Sequence, residues 1–137
     1  MNPYVRAVHY YETDMMGLTH HSNYIRYMEE ARIDFMEQLG FPYRKMEQDG
    51  IVSPVTSVSC RYRRSSTFGD TLSISVTPAS FDGVTLRIHY EMRKPDGDLV
   101  AEADSEHVFL DREGHFVRMR RVQKEFCDAI AALIPPA

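Results

Sequence analysis

Fifteen residues crowd several side chains that could do chemistry into one stretch. They run from Tyr10 to Tyr24 and include Asp14, Gly17, His20, His21, Ser22 and Asn23. An alternating segment, Tyr4 to Tyr11, leads into them, and a strongly periodic segment, Tyr24 to Leu39, leads out. The stretch therefore reads as a strand-to-helix junction with a carboxylate close to a helix start. A helix N-terminus offers unpaired backbone N–H groups and about half a unit of positive charge. A substrate held there would meet an acid and main-chain donors together. On composition alone, however, Asp14 is a turn or capping residue, because Thr13, Asp14 and Gly17 together have turn chemistry. Asn23 divides in the same way between the site and a helix cap. His20 and His21 suggest a metal, but adjacent side chains diverge and no third ligand stands at a recognisable spacing. No metal is expected.

The elements that must position these residues follow from periodicity. Tyr24, Met28, Ala31, Phe35 and Leu39 step by three or four, with Tyr27 beside them, while Arg26, Glu29, Glu30, Asp34 and Glu37 fill the other face. That pattern predicts an amphipathic helix from about Ser22 to Leu39, capped by Thr19, Ser22 or Asn23 and ended by Gly40 and Pro42. Tyr43 to Gly50 reads as a short irregular or helical piece. Alternation predicts strands over Ile51–Arg64, Asp70–Thr77, Val84–Met92 and Leu99–Leu110, with Asp82-Gly83 and Pro95-Asp96-Gly97 as tight turns. Pro78 should end pairing of the second of these strands. The apolar phase slips between Ala103 and Val108, which a β-bulge between Asp104 and His107 would explain. Val122, Phe126, Ala129, Ile130 and Leu133 make a C-terminal amphipathic helix. Short connections favour antiparallel neighbours. The expectation is an α+β fold in which a five-stranded antiparallel sheet is covered by the long helix.

Bulk properties narrow the function classes. A chain of 137 residues favours one domain, residues 1–137. A net charge of −4 argues against general nucleic-acid binding, which needs a basic footprint. The N-terminus has no apolar stretch of signal-peptide length, and no apolar run approaches the roughly 20 residues that span a bilayer. Cys60 and Cys127 have no metal-type spacing and read as free thiols of a reducing cytoplasm. Arg61, Arg63 and Arg64 form the best basic patch, with Arg118, Arg120 and Arg121 as a second; both also fit solvated element ends. Arginine's planar fork suits phosphate oxygens.

One spacing is more specific. Tyr11-x-Thr13-Asp14, Gly17, His21-x-Asn23-Tyr24 and Glu29-x-Ala31-Arg32 together resemble the acyl-CoA thioesterases of the hotdog fold. The pattern is similar in particular to the 4-hydroxybenzoyl-CoA thioesterase family with its YbgC-type enzymes. The resemblance implies a curved sheet wrapped around a central helix and a homodimer or dimer of dimers with active sites at the dimer interface. It also implies hydrolysis of an acyl-CoA to free acid and coenzyme A. Asp14 falls on the catalytic carboxylate, acting as nucleophile or general base. His21 falls on the residue whose backbone N–H polarises the thioester carbonyl, and Gly17 falls on the turn that lets substrate approach. Asn23 and Tyr24 become substrate-binding candidates, although Tyr24, Tyr27 and Met28 also suit a core. Arg61, Arg63 and Arg64 become candidates for the coenzyme A phosphates. Coenzyme A is then part of the substrate, and no separate cofactor is expected. Met15 and Met16 replace the small residues or proline common after the aspartate, and Thr19-His20 is also unusual. Some hotdog enzymes use a helix glutamate instead. Glu29, however, lies about two turns beyond His21 and is expected to pair with Arg26, Arg32 or a partner subunit. Two alternatives share the fold: a non-catalytic module binding acyl-CoA or acyl-carrier protein, and a dehydratase acting on 3-hydroxyacyl thioesters.

Overall fold

The computed structural model describes residues 1–136. The elements in chain order are β1 (Tyr4–Ala7), a 3-10 turn (Tyr10–Glu12), α1 (Ser22–Leu39), α2 (Tyr43–Gln48), β2 (Val55–Tyr62), β3 (Thr71–Phe81), β4 (Thr85–Arg93), β5 (Leu99–Val108), α3 (Met119–Val122) and α4 (Lys124–Ala131). The five strands form one antiparallel sheet in the order β1-β3-β4-β5-β2. Strands β3, β4 and β5 are therefore a meander of sequence neighbours, and β1 and β2 are the two edges.

The chain divides into two compact units. The first comprises Met1–Phe35, Ser59–Val76 and Tyr90–Ala103. Here β1 pairs antiparallel with β3 in the register Tyr4↔Ile74 to Ala7↔Thr71. The apolar stripe of α1 behaves as its spacing demands, with Tyr24, Tyr27, Met28, Ala31 and Phe35 all buried. Leu72, Ile74, Tyr90, Met92 and Val100 are buried in the same unit. Arg32, on the same helix, is also buried, and its guanidinium donates to the Tyr90 hydroxyl at 3.2 Å.

The second unit comprises Met36–Val58, Thr77–His89 and Asp104–Ala137. Its centre is aromatic: Phe41, Phe81 and Phe109 each meet Phe126 with ring centroids 5.4–5.8 Å apart. Isolated bridges Val52↔Leu110 and Leu110↔Phe116 tie its loops together.

Four sequence expectations are corrected. Strand β1 stops at Ala7, and Tyr10 and Tyr11 are exposed on the 3-10 turn. Strand β3 continues through a buried Pro78 to Phe81. Because β1 reaches only Ile74, no β1 residue stands opposite Pro78, and its missing N–H costs that edge no ladder bond. In β5 the buried phase does not slip: Ala101 and Ala103 are followed inward by Ser105, His107 and Phe109. Two polar residues carry the phase that apolar spacing alone misreads as a bulge. The C-terminal helix is two helices broken at Gln123, and Val122 is exposed.

Candidate active site

The junction from Thr13 to His21 is a closed loop, pinched at its base by the bridge Thr13↔Thr19. Inside it the Asp14 N–H donates to the Leu18 carbonyl at 2.8 Å, and the Gly17 N–H donates to the Asp14 carbonyl at 3.0 Å. Asp14 Oδ1 accepts from the Met16 and Leu18 amides at 2.9 and 3.3 Å. Gly17 has φ +78°, the left-handed conformation that favours a residue without Cβ. The turn-forming reading of Asp14 is therefore true of Oδ1. Among the described residues, no protein group bonds Oδ2. One oxygen anchors the carboxylate and leaves the other without a protein donor.

The start of α1 is fastened to the same loop. The carbonyl of Glu12 accepts from the His20 N–H at 2.8 Å and from Asn23 Nδ2 at 2.9 Å. The His21 carbonyl accepts from the Tyr24 N–H at 3.2 Å and from the Tyr62 hydroxyl at 3.3 Å. Among the described residues, the His21 N–H has no protein acceptor. Asp14 and His21 line one cleft of about 300 Å³, together with Met16, Leu18, Thr19, Tyr24, Tyr62, Arg63, Arg64 and Ser65. Tyr24 and Tyr62 meet there with centroids 5.3 Å apart, and the His21 ring meets Tyr62 edge-on at 6.3 Å. The cleft thus combines an acid, a helix-start amide, an aromatic wall and two arginines.

The remaining candidates from the sequence divide. Arg63 and Arg64 lie at the cleft, paired with Glu102 and, more distantly, with Asp98 at 3.9 Å. Arg61 is exposed and does not line the cleft. Gly17 shapes the loop without lining the cleft, and Asn23 is buried, with its amide spent on Glu12 and Arg26. The three candidate caps of α1 are engaged elsewhere: Thr19 with Ser66, Ser22 with His20 and Arg26, and Asn23 with Glu12. Glu29 is exposed and, among the described residues, makes no ion pair; Arg26 and Arg32 are used by other groups. His20 and His21 stack at 4.2 Å, with His20 Nδ1 on the Ser22 hydroxyl. Asp111, Glu113 and His115 could converge on a cation, but Asp111 Oδ1 already accepts from the Glu113 and His115 amides of its own exposed turn.

Sequence reasoning missed Glu12. Its side chain is 3% exposed. Oε1 accepts from the His9 N–H at 2.7 Å, the Tyr27 hydroxyl at 2.8 Å and Arg6 Nη1 at 3.0 Å; Oε2 accepts from Arg6 Nη2 at 2.7 Å. Burial raises its pKa, but these donors and the Arg6 charge outweigh it and hold the carboxyl below its ordinary range. Burial and the same carboxylate push the Tyr27 phenol far up. Arg6 also bonds Glu30 at 2.8 Å and sits 4.8 Å from the Tyr27 ring centroid. Glu12 thus locks α1 through Tyr27, and through its carbonyl it locks the helix start that carries His21. Four donors on one acid cannot be foreseen from spacing, since a buried carboxylate and an exposed one look identical in sequence. Tyr62, on β2, was also missed. Its phenol pKa is raised by burial and by the neighbouring Cys60.

With this geometry in hand, comparisons with known proteins are specific. The profile of the thioesterase-like superfamily matches residues 8–135. The chain is 31% identical over 116 residues to the 1,4-dihydroxy-2-naphthoyl-CoA hydrolase of Thermosynechococcus vestitus, covering 80% of each. Among solved structures, the DHNA-CoA thioesterase of Staphylococcus aureus superposes with TM-score 0.90 at 26% identity, over 96% of this chain and 89% of that one. A hypothetical protein of Aquifex aeolicus superposes with TM-score 0.85 at 33% identity, over 93% and 97%. The expected hotdog fold is therefore the observed one, and the chain belongs to the thioesterase-like superfamily, as a thioesterase of the hotdog class.

Proposed function

We propose that the chain, acting as one domain over residues 1–137, hydrolyses an acyl-CoA thioester to free acid and coenzyme A at the Asp14 cleft. The observation that carries this reading is the pairing in one cleft of Asp14, with Oδ2 unbonded, and the unpaired His21 N–H. The thioester carbonyl oxygen accepts from the His21 amide, strengthened by the α1 dipole. Asp14 Oδ2 attacks the acyl carbon, giving a mixed anhydride that water then hydrolyses to the free acid, or it takes a proton from a water that attacks directly. The oxygen becomes negative, the C–S bond breaks, and coenzyme A leaves as a thiolate that takes up a proton. One donor of the oxyanion-hole kind is worth about 2.7–4 kcal/mol. Arg63 and Arg64 supply the phosphate contacts, while Gly17, Asn23 and Arg61 are reassigned from substrate contact to loop shape, helix anchoring and solvent.

The acyl group we propose is aromatic. Tyr62, 49% exposed beside the buried Tyr24 ring, supports this by offering an aromatic surface to a planar group, and two relatives carry 1,4-dihydroxy-2-naphthoyl-CoA in their names. The motif spacing supports the 4-hydroxybenzoyl-CoA and YbgC-type branch. A second copy of the chain is proposed at edge strand β2, where Val55, Val58 and Tyr62 are 40–49% exposed; a light-scattering mass near the 15.9 kDa of one chain would remove it. Purified protein should release free thiol from a panel of acyl-CoAs, fastest with aryl members, and Asp14→Asn should lower kcat about a hundredfold or more. A panel without turnover above background ends the enzyme reading.

A further inference from the structure

Behind the cleft lies a chain of three buried hydroxyls. Thr19, Ser66 and Tyr24 are 7%, 2% and 4% exposed. Thr19 Oγ1 is 2.6 Å from Ser66 Oγ, and Ser66 Oγ is 2.7 Å from Tyr24 Oη. Thr19 Oγ1 is also 3.1 Å from the Ser66 carbonyl, which accepts the Thr19 N–H at 2.8 Å. Thr19 and Tyr24 line the Asp14 cleft, whereas Ser66 does not. The neighbouring Thr67 hydroxyl donates to the Gly17 carbonyl at 2.6 Å, so the Ser65–Asp70 turn is stitched to the Asp14 loop at two points.

Each hydroxyl has one proton and two lone pairs, which leaves two consistent arrangements. In one, Tyr24 donates to Ser66, Ser66 to Thr19 and Thr19 to the Ser66 carbonyl, and the phenol oxygen keeps a lone pair to offer. In the other, the two hydroxyl–hydroxyl bonds reverse and the Thr19 hydroxyl gives up the carbonyl: Thr19 donates to Ser66, Ser66 donates to Tyr24, and the phenol proton is released to bond elsewhere. No heavy atom moves between the two, because hydroxyl protons rotate about the C–O bonds. The carbonyl at the far end keeps its bond from the Thr19 amide in both, so neither arrangement strands it.

We infer that Ser66 is a positioning residue for the thioester reaction, holding the Tyr24 phenol at the cleft and letting it change from hydrogen-bond acceptor to donor as the reaction proceeds. The inference rests on the proposed thioesterase reading and adds a residue to it. Such a change would serve hydrolysis beside Asp14 and the His21 amide. The attacking water is a donor, so before attack an acceptor in the wall orients it. Once the acyl oxygen and the departing sulfur carry charge, the same phenol as a donor adds to the His21 amide. A lone buried tyrosine would be locked in one role by its neighbour; the Ser66–Thr19 pair frees it to play both. No proton leaves the chain of hydroxyls, so the proton transfers of the scheme stay with Asp14, the water and the departing thiolate.

The test compares Ser66→Ala, Ser66→Thr, Tyr24→Phe and the double variant Ser66→Ala/Tyr24→Phe, with kcat and KM for the best acyl-CoA and a thermal melt for each. Ser66→Ala should lower kcat about tenfold, the rate equivalent of one ordinary hydrogen bond, with KM within about twofold. Ser66→Thr should restore most of the loss. The double variant should be no slower than Tyr24→Phe alone, because Ser66 acts only through that phenol. Effects of the two single changes that multiply in the double variant, or wild-type kcat in a folded Ser66→Ala protein, overturn the inference while leaving hydrolysis by Asp14 intact. A Ser66→Ala protein whose melt shows it unfolded shifts the decision to Ser66→Thr and Tyr24→Phe: slow turnover in the folded threonine variant overturns it, and wild-type turnover there with a slow Tyr24→Phe supports it. If wild type turns over nothing in the panel, the parent reading has failed and this one falls with it.

Discussion

Replacing Glu12 with glutamine changes one atom and one charge in a buried carboxylate that accepts four hydrogen bonds. The glutamine oxygen can take the Oε1 position and keep its bonds to the His9 amide, the Tyr27 hydroxyl and Arg6 Nη1. Its –NH2 group then faces Arg6 Nη2, where the native contact is 2.7 Å. A charge-assisted bond becomes a contact between two donors. Hydrogen bonds to charged groups contribute about 1.5–3 kcal/mol, and breaking a buried pair by removing one partner costs about 3–5 kcal/mol. Arg6 keeps Glu30 as a second partner, which pulls the expectation to about 2–4 kcal/mol at pH 7. Unfolding entropies near 2.1 cal/mol/K per residue give a 137-residue chain about 0.29 kcal/mol/K, so Tm should fall by about 7–14 °C. The pH dependence has a definite sign. The folded carboxyl is held below its ordinary value of 4.5. Its stabilisation is therefore complete above that value and disappears as pH falls through the lower, folded one. Urea unfolding of the two proteins should show a constant gap from pH 8 to pH 5 that shrinks in stronger acid. A gap under about 1 kcal/mol at pH 7, or one that persists unchanged in acid, would refute the reasoning.

Two further outcomes test other parts of the site. Gly17→Ala meets no atom within 4 Å at its new Cβ, so its cost is the left-handed backbone alone, about 1–2 kcal/mol in urea unfolding; no loss of stability would mean that φ relaxes freely. Arg63→Ala with Arg64→Ala should raise KM for an acyl-CoA by about tenfold or more while barely affecting the same acyl group on a short thiol without phosphates. Equal effects on both substrates would move the phosphate site away from these residues.

Local pattern alone settled the parts of the chain whose cause is local. The helix from Ser22 to Leu39 follows from a stripe stepping by three and four and from Gly40, which lies at φ +94° just beyond it. The loop around Asp14 follows from turn chemistry, and the alternation of β4 appears as buried Leu86, Ile88, Tyr90 and Met92. The spacing of Asp14, Gly17, His21, Asn23 and Tyr24 was enough to suggest the family. Tertiary structure alone decided which polar groups are inside. Glu12, Ser66, Ser105 and His107 look like surface residues in sequence, and each is buried. Ser66 meets Thr19 across 47 positions, and Tyr27 meets Glu12 across 15. A polar group can be buried only where partners from elsewhere replace its water, and those partners exist only once the chain has closed. The same reason separates Arg63 and Arg64 from Arg61: their charges are equal in sequence, and only the packed backbone determines which of them reach the cleft.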